Sequence, residues 1–148
     1  MQRVEGRARL TASPGEVFAY VSDLDNLADW QGGVTAAHQT SEGPMRTGAT
    51  AEVTRQMMNQ RFVAPLLVTD YDPPRRLAIA SKVSGVEADA ILELAELDGG
   101  AATDLGFSME IRGSGLTSFM EPMIAGAARG DIESSLERLQ ARFARESG

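Results

Sequence analysis

The chain has 148 residues, 43% of them hydrophobic and 24% charged, with a formal net charge of -7, no cysteine and one histidine. That length suits one domain, residues 1–148, large enough to bury a sizeable core. The composition excludes disulfides and thiolate chemistry and argues against a transition-metal site, and the acidic balance argues against a phosphate-backbone partner, so no nucleic acid, metal or cofactor is expected.

No apolar run approaches a membrane span, and Met1-Gln2-Arg3-Val4-Glu5 opens with alternating polarity instead of a signal-peptide core. A cytoplasmic protein is expected. Val4, Gly6, Ala8, Leu10 and Ala12 then alternate with Glu5, Arg7, Arg9 and Thr11, the period of a half-buried strand. Ser13-Pro14-Gly15-Glu16 reads as a helix start, with Ser13 as cap, Pro14 in the first turn and Glu16 closing a capping box. Val17, Phe18, Tyr20 and Val21 give a short apolar helix. Asp23 caps a second one through Leu24, Leu27 and Trp30, which Gly32-Gly33 ends.

Strands follow in succession. Residues 34–39 and 49–57 are separated by the turn-rich Ser41-Glu42-Gly43-Pro44. After a turn near Asn59, residues 62–71 form a further strand in which Pro65 marks an edge or a bulge. Asp72-Pro73-Pro74 breaks the chain. Leu77, Ile79, Ser81 and Val83 alternate with polar or small residues, and so do Ala88, Ala90, Leu92 and Leu94 after the turn at Ser84-Gly85. Asp98-Gly99-Gly100 is a hairpin signal leading to the alternation of Leu105, Phe107, Met109 and Ile111. Gly113-Ser114-Gly115 then releases the chain into a long helix.

That helix, drawn from Gly115 to Glu146, would be about 45 Å long. Ile132, Leu136, Leu139 and Phe143 share one face, and Glu133, Glu137, Arg138, Arg142 and Arg145 lie off it. Leu116, Met120, Met123 and Ala127 form a second stripe about half a turn away, so one straight helix on one sheet cannot bury both. Pro122 predicts a kink or a fresh start. Short turns between consecutive strands predict an antiparallel sheet, and the long helix is the element able to cover its apolar face.

Ala12-Ser13-Pro14-Gly15-Glu16-Val17-Phe18, Asp23-Leu24-Asp25-Asn26-Leu27 with Trp30, and the run from Val68 to Leu77 through Asp72-Pro73-Pro74 resemble the START-related SRPBCC superfamily of polyketide cyclases and lipid transport proteins. The resemblance extends over nearly the whole chain. It implies an α+β helix-grip fold: a seven-stranded antiparallel sheet curved around the C-terminal helix, two short helices after the first strand, and an apolar cavity between sheet and helix. Members bind lipids, sterols or polyketides, cyclise polyketides, or act on protein partners, and fold does not choose among these.

Among candidate chemical groups, His38 sits near a strand end and reads as a solvated histidine. Gly113-Ser114-Gly115 lacks the pattern of a nucleotide loop and reads as a turn. Glu87, Asp89 and Glu93 read as a solvated sheet face. Trp30 is expected to pack under the sheet. If Ala51 and Val53 point inward, Arg55 does too and could hold a carboxylate, phosphate or enolate oxygen; the alternatives are a register one residue over or a rim position beside an acidic neighbour. The expected ligand-binding surface is Val53, Arg55, Val68, Ile79, Ala90, Leu92, Phe107, Met109, Met120 and Met123. Small Ala88 and Ala90 leave volume open, and methionines suit apolar ligands of varied shape. No catalytic residue is assigned. The first expectation is a binder or carrier of a small hydrophobic, lipid- or polyketide-like molecule. The second is a polyketide cyclase/dehydrase-type enzyme in which Arg55 or Tyr71 steadies an enolate, and the third is a protein-interaction module. Met120 and Met123 would form a gate over the cavity or a homodimer contact, unless both helix halves fill the core.

Overall fold

A computed structural model describes residues 1–57 and 59–144. The elements, in chain order, are β1 (Gln2–Leu10), α1 (Pro14–Val21), a 3-10 turn (Leu24–Asn26), α2 (Leu27–Trp30), β2 (Val34–Gln39), β3 (Thr50–Met57), β4 (Gln60–Asp72), β5 (Arg76–Val83), β6 (Val86–Leu97), β7 (Ala102–Gly113), a second 3-10 segment (Gly115–Met120) and α3 (Glu121–Ala144). Seven strands form one antiparallel sheet in the order β1-β7-β6-β5-β4-β3-β2. Consecutive strands from β3 to β7 are joined by short connections, β2 and β3 by the longer stretch of residues 40–49, and β1 closes the far edge beside β7.

Local sequence sets the element ends. The Glu16 N–H donates to Ser13 Oγ at 3.3 Å, and Ser13 Oγ donates to Glu16 Oε1 at 3.4 Å, so the Glu16 carboxylate meets the cap's hydroxyl. Asp23 Oδ1 accepts from the Asp25 N–H at 3.0 Å and starts the 3-10 turn. The α3 helix begins at Glu121, so Gly115–Met120 is not its first turns. Pro122 falls in the first turn, where a missing N–H removes no helical bond. Of the two sequence alternatives, the fresh start holds. At 24 residues α3 is about 36 Å long, and Arg145 and Glu146 lie outside the described residues.

The sheet's inner face and α3 share the core. Val4 and Ala8 of β1, Leu105, Phe107, Met109 and Ile111 of β7, and Leu92 and Leu94 of β6 are buried against Ala125, Ala128, Ile132, Leu136, Leu139 and Phe143. α3 lies across β1 and β7. Gly6 permits this approach, since a Cβ there would sit 2.7 Å from Leu136 Cδ1 and 3.1 Å from Ile132 Cγ2. The outer face carries ion pairs such as Arg7–Asp104 at 2.6 Å, Arg112–Asp89 at 2.7 Å and Arg76–Asp70 at 2.8 Å. Glu87 and Glu93 join this charged surface through Arg112 and Arg76.

The middle of the sheet positions the site. β4 is laddered to β3 over residues 60–67 and to β5 over residues 67–72, with a register shift between Val68 and Asp70. Pro65 therefore lies where β4 is paired on one side, the setting in which a residue without an N–H is tolerated. Beyond Leu67 and Ala80 the β3–β4 and β5–β6 hairpins are not laddered to each other, and their tips flank an opening.

Candidate functional site: a two-chambered cavity

The inward side chains of β4, β5 and β6 are short where they face the start of α3. Ala64, Ala88, Ala90 and Ala128 leave a cavity of about 280 Å³, closed by Phe62, Leu66, Ile79, Met109, Ile111 and Ile124. Its polar lining is Gln31, Arg55, Gln60, Ser81 and Ser84. Gln60 and Ser84 are exposed, whereas Gln31, Ala64, Ala90 and Ala128 are buried, so the cavity opens between the two hairpin tips and runs inward beneath α3. A second chamber of about 60 Å³ adjoins it, walled by Trp30, Val68, Leu77, Leu92 and Phe107 and bounded on its far side by the half-buried Ser22, Leu24 and Met45. Gln31, Leu66, Ile79 and Ala90 line both chambers and form the waist between them.

Two glycines bring the polar groups together. α2 ends at Trp30, and the chain must pass close under α3 before β2 starts. A Cβ on Gly32 would lie 2.9 Å from the Asp131 carbonyl oxygen, and one on Gly33 would lie 2.8 Å from Asp131 Oδ2. Gly33 also has a φ of +86°, in the left-handed region. The Gly32 N–H donates to Ser135 Oγ at 2.8 Å, and that hydroxyl donates to the Asp131 carbonyl at 2.6 Å. The Gln56 N–H donates to the Gly33 carbonyl at 2.7 Å, tying β3 to the same turn. Gln31 and Arg55 thereby reach one cavity wall.

Arg55 is 13% exposed at its side chain, and its Nη2 lies 4.0 Å from Asp131 Oδ2. Among the described residues its guanidinium donates no hydrogen bond. Burial pushes its pKa down, and the Asp131 charge opposes that shift. Burial likewise pushes the Asp131 carboxyl up, against Arg55 and Arg138. The pair is thus desolvated on both sides and only loosely engaged.

The residues expected from sequence distribute as follows. Arg55, Ile79, Ala90 and Met109 line the outer chamber. Val68, Leu92 and Phe107 line the inner one, with Ile79 and Ala90 shared. Val53 is fully buried in the core two residues from Arg55 and touches neither chamber. Met123 is 62% exposed and Met120 half-buried, and neither lines a chamber. The reason is the phase of α3: with Ala125 and Ala128 inward, Met123 lies about 200° from Ala125 and points out. Phe119, at 76% exposure, lies on the surface just before α3. Tyr71 packs edge-on against Phe18 at 5.5 Å between ring centroids and lines neither chamber. His38 is exposed, 3.3 Å from Glu52. Gln31, Trp30 and Phe62 were not expected at the cavity. Phe62 shares the inward parity of Ala64 and Leu66, a signal that could have found it; nothing local to Gln31 marks it.

Comparison with known proteins agrees with this architecture. Residues 1–144 match the family described as polyketide cyclase / dehydrase and lipid transport. An uncharacterised protein of Mycobacterium tuberculosis is 30% identical over 141 residues, covering 93% of this chain and 96% of the relative. Among solved structures, the Zhui aromatase/cyclase of a Streptomyces species superposes with a TM-score of 0.83 at 14% identity, over 99% of this chain and 96% of that one. A START superfamily protein of Mycobacterium smegmatis superposes with a TM-score of 0.79 at 14% identity, over 97% and 98% of the two chains. No helix among the described residues is long and apolar enough to cross a membrane. With its seven-stranded sheet gripping one long helix and its match over residues 1–144, the chain belongs to the polyketide cyclase/dehydrase and lipid transport family of START-like proteins.

Proposed function

We propose that this protein binds a small, mostly apolar molecule carrying an anionic or carbonyl oxygen, with that oxygen at Arg55 and its skeleton against the alanine-rich walls. One observation carries the reading. Arg55 sits 13% exposed in the wall of an otherwise largely apolar cavity, with a carboxylate 4.0 Å away and no hydrogen bond among the described residues. A buried guanidinium in this state has donors left over, and a planar oxygen group is their natural complement. Arg55→Met keeps the apolar stem and removes the donors. It should weaken a medium-chain carboxylate by about 1.5–3 kcal/mol and leave the matched alkane-like ligand within about twofold. Equal losses for both ligands would contradict the assignment.

A second reading is an enzyme of the cyclase type. The aromatase/cyclase named above shares the fold, and the same guanidinium could hold an enolate oxygen while a reactive chain folds in the cavity. Incubation with a poly-keto thioester analogue separates the two. A carrier returns it at the uncatalysed rate of ring closure, whereas an enzyme accelerates closure in an Arg55-dependent way.

A further inference from the structure

Trp30 Nε1 is a buried donor with no hydrogen-bond partner, in a residue only 2% exposed. Its ring stands edge-on to Phe107, 6.2 Å between centroids, in the wall of the inner chamber. The next residue, Gln31, is 6% exposed, lines both chambers, and its carboxamide has no hydrogen bond among the described residues. Two consecutive residues that line the chambers thus carry polar groups with no hydrogen bond among the described residues, and one of those groups, Trp30 Nε1, is fully buried. Buried polar groups are nearly always paired, and an indole N–H can only donate. No charged side chain lines the inner chamber. An anion is therefore disfavoured there, and a neutral acceptor is favoured.

We propose that Trp30 and Gln31 form a second polar station, more buried than Arg55, that takes a neutral carbonyl or hydroxyl oxygen of the ligand. The inference rests on the binding function proposed above and narrows its ligand class. The ligand carries two separated oxygen functions on an apolar skeleton: an anionic or enolic one at Arg55 and a neutral one held by the indole N–H. Simple fatty acids satisfy only the first station. Keto acids satisfy both. The chamber of about 60 Å³ at Trp30 has room for a carbonyl group, and also for water.

Trp30 is the only tryptophan, so the indole N–H gives a single resonance in a ¹⁵N-labelled sample. The probes are decanoate and its mid-chain and end-chain keto analogues, titrated into the intact protein. The expected result is a downfield shift of the indole N–H with at least one keto analogue and none in that direction with decanoate. Trp30→Phe should lower the affinity of that analogue about five- to tenfold and that of decanoate less than about twofold. Decanoate binding that depends on Arg55, with an indole resonance no keto analogue moves, overturns the second station and leaves the proposed function standing. That outcome also covers a water molecule permanently held at Nε1. Saturable binding of none of the probes overturns both. Should Trp30→Phe fail to fold, the wild-type resonance decides alone.

Discussion

Arg55 was legible only as one of several readings: the parity of Ala51 and Val53 turned it inward, and a rim place beside an acid was another. Its partner was not legible. Asp131 belongs to α3, and only the close passage of Gly32 and Gly33 beneath that helix brings it near. Gln31 carried no signal, since a glutamine before a glycine pair reads as a polar helix end. Met123 was placed both among the ligand-lining residues and on the stripe turned away from the sheet, and its exposure agrees with the second placement. At Gly33, a Cβ would meet Asp131 Oδ2 at 2.8 Å on backbone with a φ of +86°. Gly33→Ala should lose about 1–3 kcal/mol of stability, seen as a lower urea midpoint with an unchanged slope. An unchanged midpoint would mean that the turn accommodates a side chain.

α3 shows how far periodicity reaches at the level of elements. The buried positions Ile132, Leu136, Leu139 and Phe143 follow from spacing alone. The start at Glu121 does not, because it depends on tertiary partners. The Met1 ammonium lies 2.6 Å from Glu121 Oε1, and the Gly113 N–H donates to Oε2 at 2.8 Å. The ammonium first and the N–H second hold this carboxyl below the usual glutamate range. The folded pKa is lowered, so the contribution to stability is complete above the unfolded value near 4.5 and is lost as pH falls through the folded one. The wild-type minus Glu121→Gln stability difference should therefore be flat at neutral pH and shrink in acid. A difference that grows toward acid would contradict the pairing. Met123 is 62% exposed, so Met123→Glu should fold with stability within about 0.5 kcal/mol of wild type. A loss of several kcal/mol would place that side chain in a core.

For the whole molecule, an antiparallel sheet of consecutive strands and its covering helix could be argued from short turns and alternating polarity, whereas the place of β1 beside β7 could not. Interior volume was legible only as a tendency, through Ala88 and Ala90. The cavity also depends on Ala64, on Ala128 across from it, and on two hairpins that part beyond Leu67 and Ala80. Those are relations between distant segments, which no local pattern records. The central claim is that this open interior is a binding site. Ala90 lines both chambers, and Ala90→Phe should plug the waist without unfolding the protein, since it grows into space that is already empty. The direct measurement is titration of an environment-sensitive apolar fluorophore into wild type and Ala90→Phe, with circular dichroism confirming the fold of both. Saturable, one-to-one binding in the micromolar range or tighter by wild type, weakened at least about tenfold by Ala90→Phe, is the expected result. No saturable binding by wild type, or equal binding by the plugged variant, would contradict it.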